Sequence, residues 1–92
     1  MIVELLIKIS MRNGDIKNIA VGEKDPKGYL VDKETSKRKE ISLTDKEVQI
    51  EYSKKIAENM EKKRPLFFAD KEGKVYVINS YDISSVDVEV LK

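Results

Sequence analysis

Apolar and polar residues alternate near both ends of the chain, and this period of two indicates β-strands. Residues 2–11 place five apolar side chains on one face: Val3, Leu5, Ile7, Ile9 and Met11. Residues 85–90 alternate as well, with three valines facing one way and Ser85, Asp87 and Glu89 facing the other. We expect both segments to be strands, the second half-buried with its polar face in solvent.

The first strand is followed by Asn13-Gly14, a strong signal for a β-hairpin. A two-residue loop would set Ile19 beside Lys8, an apolar side chain beside a charged one. A three-residue loop with Gly14 as a left-handed bulge sets Ile19 opposite Ile7 instead. Because a slip of one residue would turn the whole apolar set towards solvent, we predict the bulged turn.

A second hairpin is predicted for residues 66–78, which read LFFADKEGKVYVI. With a bulge at Gly73, Phe67 faces Val77, and every cross-strand pair is apolar. Since both faces of this hairpin are apolar, we expect it to hold a central position in a sheet that is covered on both sides. Its three aromatic residues are then predicted to lie in the core: Phe67, Phe68 and Tyr76.

One amphipathic helix is predicted over residues 44–62. Thr44 and Glu47 have the spacing of a capping box, and Pro65 forces the chain out of the helix. Apolar residues recur every four positions along one face: Val48, Tyr52, Ile56 and Met60. This one-sided stripe predicts a helix that packs on a sheet.

Residues 22–43 permit two interpretations. Residues 29–31 are suited to a short strand paired with residues 39–43, while the charged loops around them are equally typical of a mobile excursion. The basic run of residues 37–39 lies at or near the tip in the paired interpretation.

The predicted strands and helix, together with the length of the chain, indicate a small domain of the α+β class. Ninety-two residues are enough for one core, and we expect a single domain over residues 1–92. The predicted fold is an antiparallel sheet or partial small barrel of five to seven strands, with the helix at about 44–62 before three C-terminal strands. Because Glu4 and Lys8 interrupt the apolar N-terminal run, we expect neither a signal peptide nor a membrane partner.

The sequence contains neither histidine nor cysteine, which removes the common acid–base and nucleophilic side chains and the ordinary zinc ligands. The four glycines are too dispersed for a phosphate-binding loop. We therefore predict no catalytic residue, no cofactor and no metal site, and the lack of cysteine fits a cytoplasmic protein. An acidic group near the C-terminus is interpreted as a solvated strand face rather than a cation site: Asp82, Asp87 and Glu89.

Two sets of surface residues are candidate binding sites. A nucleic acid would contact two basic clusters, Lys37, Arg38 and Lys39 and then Lys62, Lys63 and Arg64. Acids interleave with these bases and the net charge is only +1, which favours an ordinary mixed-charge surface. A protein would contact Ile50, which lies off the helix stripe, and Tyr81, which lies in a corner.

Two resemblances bear on function. The segment 73–88, GKVYVINSYDISSVDV, is similar in layout to the closing strands of Sm-like and SH3-like small barrels. Sm-like proteins carry Arg-Gly for RNA contact at the corner where this chain has Asn79-Ser80, so RNA binding is not implied. The whole chain resembles short Lys/Glu/Ile-rich proteins of Gram-positive phages and mobile elements. That resemblance implies a small accessory protein that acts by binding.

These observations predict a non-catalytic interaction module that binds another protein or itself, through sheet edges or the outer face of the helix. The alternative is a nucleic-acid-binding accessory protein that uses a local basic patch.

Overall fold

The computed structural model describes residues 1–91 and has one helix and seven strands, all paired antiparallel. A three-stranded sheet has the order β2 (Ile16–Lys24), β1 (Ile2–Met11) and β7 (Ile83–Leu91). Two separate hairpins are formed by β3 (Lys27–Val31) with β4 (Arg38–Ser42) and by β5 (Leu66–Ala69) with β6 (Val75–Ile78). The helix α1 (Asp45–Glu61) lies between the two hairpins in sequence, and a short 3₁₀ turn, Ser80–Asp82, precedes β7. The predicted α+β class is confirmed, and the sheets of the described chain stay open instead of closing into a barrel.

The β1–β2 hairpin has the predicted bulged register. Ile7 lies opposite Ile19, and Val21 lies opposite Leu5. Gly14 has a φ of +95°, and its amide donates to the carbonyl of Met11 at 3.0 Å. On the other side of β1, strand β7 continues the same apolar face with valines that are half-buried.

The helix begins at the predicted capping box. The Thr44 hydroxyl accepts from the Glu47 amide at 3.2 Å, and the Glu47 carboxylate accepts from the Thr44 amide at 3.1 Å. Val48 and Ile56 are buried, while two further members of the stripe, Tyr52 and Met60, are half-buried. The helix therefore packs its apolar stripe on the apolar face of the three-stranded sheet, as predicted.

The core combines this helix with the sheet and the inner side of the β5–β6 hairpin. Its buried apolar residues are Val3, Leu5, Ile7, Ile9, Ile19, Val21, Leu43, Val48, Ile56, Leu66, Phe68, Ile78 and Ile83.

The β5–β6 hairpin has the predicted pairing but not the predicted surroundings. Phe67 lies opposite Val77, and Gly73 has a φ of +84°. The hairpin forms a sheet of its own, with one face on the core and one in solvent. The expectation that both faces are covered is therefore wrong, and so is the core assignment of Phe67, which is 66% exposed. The physical reason is that one helix and one sheet cover only the inner face, where Phe68 is buried and Tyr76 half-buried.

Residues 27–42 form a projecting hairpin, which we call the arm. Tyr29 lies opposite Glu40 and Val31 opposite Arg38, so the paired-strand interpretation is confirmed. The arm joins the body at its base, where the Leu43 amide donates to a carbonyl of the preceding loop at 2.9 Å. The radius of gyration is 15.1 Å, whereas a compact domain of this length is expected near ~12 Å.

Strand β7 has the predicted alternation, with its valines half-buried and its acidic residues exposed. Lys8 lies opposite Asp87 on the neighbouring strand, and its ammonium group is 3.5 Å from the Glu89 carboxylate. The acidic face is thus partly neutralised by β1. Among residues 1–91, no helix is long and apolar enough to cross a membrane.

Candidate interaction surfaces

The outer face of the β5–β6 hairpin is an exposed apolar surface formed by two cross-strand pairs. Phe67 pairs with Val77, and Ala69 pairs with Val75. Phe67, Val75 and Val77 are 66%, 63% and 62% exposed. Together the four side chains present on the order of 300 Å² of apolar surface, which is comparable with the largest patch on an ordinary monomer. Strand alternation produces this face directly, since the neighbouring positions on both strands point into the core.

The hairpin is held in place from its inner side and from its turn. Leu66 and Ile78 are buried beneath it. The amide of Lys71 donates to the Ala20 carbonyl on strand β2 at 3.1 Å, and the Lys71 ammonium group lies 2.8 Å from the Glu4 carboxylate. The outer face is therefore presented by a fixed element, which lowers the entropy cost of binding.

Charged groups at the two ends of this face differ in sign. At the turn end, the Asp70 carboxylate accepts from the amides of Glu72 and Lys74, each at 2.9 Å, and the Glu72 side chain is left exposed. At the base end lie Lys63 and Arg64, both exposed, which follow the helix. The turn also carries Lys74, whose ammonium group lies 4.9 Å from the centre of the half-buried Tyr76 ring, on the inner side of the hairpin. The exposed Glu72 is thus separated from Arg64 by the length of the hairpin.

The arm carries a second exposed apolar group. Tyr29, Leu30 and Val31 are each about 60% exposed, at 61%, 58% and 58%. Glu40 lies 2.8 Å from the Lys27 ammonium group, and the hydrogen bond and charge of Glu40 raise the pKa of Lys27. Lys37, Arg38 and Lys39 lie next to the apolar residues and help to line a shallow depression on the arm.

The predicted nucleic-acid residues are not brought together. Lys37, Arg38 and Lys39 belong to the arm, which ends where the helix begins. The second cluster, residues 62–64, lies past the far end of a helix of 17 residues, which spans about 25 Å. Lys62 is paired with Glu58 at 2.8 Å and lowers the pKa of that carboxyl group by hydrogen bonding and charge.

The two predicted protein contacts are both at the surface. Ile50 is 43% exposed on the outer side of the helix. Tyr81 is 59% exposed, and the Lys63 ammonium group lies 5.7 Å from the centre of its ring. The structure places these residues on exposed sites without joining them to the outer face of the β5–β6 hairpin.

Concave sites are shallow in the described part of the chain. A groove of about 130 Å³ between α1 and β7 is lined by Ser53, Ile56, Ala57, Met60, Val86 and Val88. Residues 1–91 contain no group of three or more carboxylates positioned to hold a metal ion. Burial raises the pKa of Tyr52, with a smaller contribution from the charge of Glu23.

Sequence reasoning missed the outer face of the β5–β6 hairpin as a binding surface. The signal was present, because the hairpin was predicted to be apolar on both faces while only one helix was available to cover it. One helix can cover one layer, so one apolar face had to remain in solvent. That deduction would have selected Phe67, Ala69, Val75 and Val77.

No protein-family model, characterised protein or solved structure matches this chain. The resemblances to Sm-like and SH3-like barrels and to phage proteins remain predictions. Function is therefore inferred from the surfaces described above.

Proposed function

We propose that this chain is a non-catalytic interaction module that binds a protein, either a different one or its own copy, through the outer face of the β5–β6 hairpin. One observation carries the proposal: four apolar side chains lie together on a fixed hairpin and are left in solvent. Apolar patches of this extent on monomers frequently mark interaction sites. An apolar centre with charged residues at its margins is also the usual anatomy of a protein interface.

Phe67 is the proposed anchor of this interface. Aromatic side chains dominate binding energy when a partner encloses them, because they bury a large area at little conformational cost. Phe67 also lines a small depression with Tyr52, Lys55 and Asn59 of the helix, so the binding surface extends onto α1.

The proposal includes the biological setting that the resemblance implies. A small accessory protein of the kind found in Gram-positive phages and mobile elements acts by binding other molecules. We propose a cytoplasmic location, with which a sequence free of cysteine is compatible.

Site-specific photo-crosslinking tests the proposal. A photoreactive phenylalanine analogue replaces Phe67 in one variant and Tyr29, which is 61% exposed against 66% for Phe67, in a matched control. We expect a discrete protein adduct from position 67, in the purified chain or in host cells, and none of the same mass from position 29. Identical adducts from both positions, or none from position 67, would refute the proposal.

A nucleic-acid-binding function is supported by one observation on the arm. Lys37, Arg38 and Lys39 lie on a projecting two-stranded ribbon, and such a ribbon is one of the elements that fit the major groove of DNA. Because the two basic clusters lie at different ends of the helix, the arm is expected to act without residues 62–64.

Titration against duplex DNA and RNA at several salt concentrations tests this alternative. Three phosphate contacts predict a slope of log K against log salt of about −3. Replacing Lys37, Arg38 and Lys39 by alanine is expected to abolish binding, while the same change at residues 62–64 leaves it nearly unchanged. Absence of binding at low salt would eliminate the alternative.

A further inference from the structure

We infer that the partner of the outer face is a second copy of this chain, and that the two β5–β6 hairpins pack face to face about a two-fold axis with their strands antiparallel. This inference rests on the proposed function and deepens it. In such a dimer the turn end of one hairpin lies over the base end of the other. The same surface serves both copies, as in any isologous interface.

The sizes of the four side chains suit this arrangement. Phe67 and Val77 form the pair nearer the base, and Ala69 and Val75 form the pair nearer the turn. In the antiparallel packing, the large ring of Phe67 in one copy lies over the small side chain of Ala69 in the other. Large side chains facing small ones allow two apolar layers to interdigitate without voids. A parallel packing about an axis along the strands would instead set Phe67 over Val77 of the other copy and Ala69 over Val75. The two layers would then be thick at the base and thin at the turn.

The charges at the ends of the face suit the same arrangement. The Glu72 side chain is exposed at the turn end and Arg64 is exposed at the base end, while the neighbouring Lys63 ammonium group lies 5.7 Å from the centre of the Tyr81 ring. The turn also carries two bases: Lys71 is paired with Glu4 at 2.8 Å, and the Lys74 ammonium group lies 4.9 Å from the centre of the half-buried Tyr76 ring, on the inner side of the hairpin. Antiparallel packing brings Glu72 of each copy to the basic end of the other, so the favourable pair occurs twice. Parallel packing would oppose like charges at both ends.

The dimer is expected to be weak. Each strand of the hairpin has four residues, so the apolar centre is smaller than in a standard interface, which covers ~800 Å² on each partner. We expect a dissociation constant in the range of about 10–500 µM, as for small interfaces with one aromatic anchor. If this face bound only a different protein, nothing would require it to be complementary to a second copy of itself in both side-chain size and charge.

Sedimentation equilibrium of the full chain, from low micromolar concentration to about 1 mM, tests the inference. Phe67→Ser is expected to weaken dimerisation about tenfold, while the matched change Tyr29→Ser alters it by less than about twofold. Both side chains are exposed, so both variants are expected to unfold at the temperature of the unchanged protein. Thermal unfolding of each variant verifies that a lost dimer is not a lost fold.

A charge exchange tests the direction of packing. Arg64→Glu and Glu72→Arg are each expected to weaken the dimer about threefold at low salt, because each change removes two pairs and opposes like charges. The double variant exchanges the signs and is expected to return to within about twofold of the unchanged protein. If the double variant is weaker than either single variant, the antiparallel arrangement is wrong.

Two results would overturn the inference and separate it from the proposed function. A chain that stays monomeric at about 1 mM, or a dimer that Phe67→Ser leaves intact, refutes self-association through this face. If such a chain still yields an adduct with a different protein from position 67, the proposed function stands and only the identity of the partner was wrong. If that adduct is also absent, both the inferred dimer and the proposed function are refuted.

Discussion

At the scale of single residues, backbone conformation determines where the two bulged hairpins turn. Gly14 and Gly73 have φ values of +95° and +84°, a region that costs other residues about 1–2 kcal/mol. Each glycine amide closes its turn on the carbonyl three residues earlier, at 3.0 and 3.1 Å. Local chemistry at these two positions therefore fixes the register of four strands.

Gly14→Ala is expected to lower the free energy of unfolding by about 1 kcal/mol. Apart from Gly14 and its two neighbours in sequence, no atom lies within 4 Å of a Cβ placed at Gly14, so the cost comes from the backbone alone. Gly14→Asn is expected to cost less, because asparagine tolerates the left-handed region. Urea unfolding measures both, and an alanine variant as stable as the unchanged protein would contradict the left-handed turn.

Tyr52 predicts a loss of stability at alkaline pH. Burial and the charge of Glu23 raise its pKa from the ordinary value of 10.0. Since the folded pKa lies above the unfolded one, the unfolded chain releases the proton first, and stability falls as pH rises above about 10. Unfolding measured between neutral and strongly alkaline pH is expected to show a smaller decline in Tyr52→Phe. An equal decline in both proteins would assign the effect to other groups.

At the scale of elements, two hydrogen bonds join the helix and the β5–β6 hairpin to the three-stranded sheet. The amide group of Gln49 on the helix donates to the Val88 carbonyl at 2.7 Å, on the side of β7 that faces away from β1. The backbone amide of Lys71 donates to the Ala20 carbonyl on β2, at the opposite edge of the sheet, at 3.1 Å. The helix and the β5–β6 hairpin are thus docked on the sheet by polar contacts as well as by apolar packing.

Gln49→Ala is expected to destabilise the fold by about 1 kcal/mol, the usual value of a lost hydrogen bond of this kind. Glu51→Ala is the matched control, since Glu51 is exposed on the same helix and its loss is expected to change stability by less than about 0.5 kcal/mol. Thermal or urea unfolding compares the two. Equal effects would mean that the contact with Val88 contributes nothing.

At the scale of the whole molecule, the arm makes the shape elongated, with extents of 50 × 29 × 19 Å. Its apolar residues Tyr29, Leu30 and Val31 are exposed, while Ile41 packs against the core. Its base is fixed by Leu43 against Gly28, where a Cβ would lie 3.0 Å from a Leu43 methyl carbon. We therefore expect the stability of the rest of the protein to depend on the base of the arm and not on its outer part.

Replacing residues 31–38 by Asn-Gly is expected to leave the body folded. The shortened arm keeps the pairs from Lys27 and Ser42 up to Leu30 and Lys39, and Asn-Gly favours a two-residue hairpin turn. We expect the free energy of unfolding to change by less than about 1 kcal/mol, because exposed side chains contribute little to stability. Circular dichroism and thermal unfolding measure this, and a chain that fails to fold would show that the arm supports the core.

Much of this fold follows from local sequence signals. The two glycine turns, the Thr44–Glu47 cap and the stripe from Val48 to Met60 each depend on neighbours close in sequence, and all were predicted correctly. The exposure of Phe67 was not, because it depends on how many elements are available to cover both faces of a hairpin. The arm had two balanced interpretations, since its strands are stabilised by pairing with each other and scarcely by the core.

The hydrogen bonds that Ala20 on β2 and Val88 on β7 accept have a consequence for concentrated solutions. A strand margin with free peptide groups recruits further chains and leads to filaments. Here the helix and the hairpin turn occupy part of each margin, so growth by strand addition is obstructed on either flank. Crowding the protein is therefore expected to extend the three-stranded sheet into filaments less readily than two uncovered edge strands would allow.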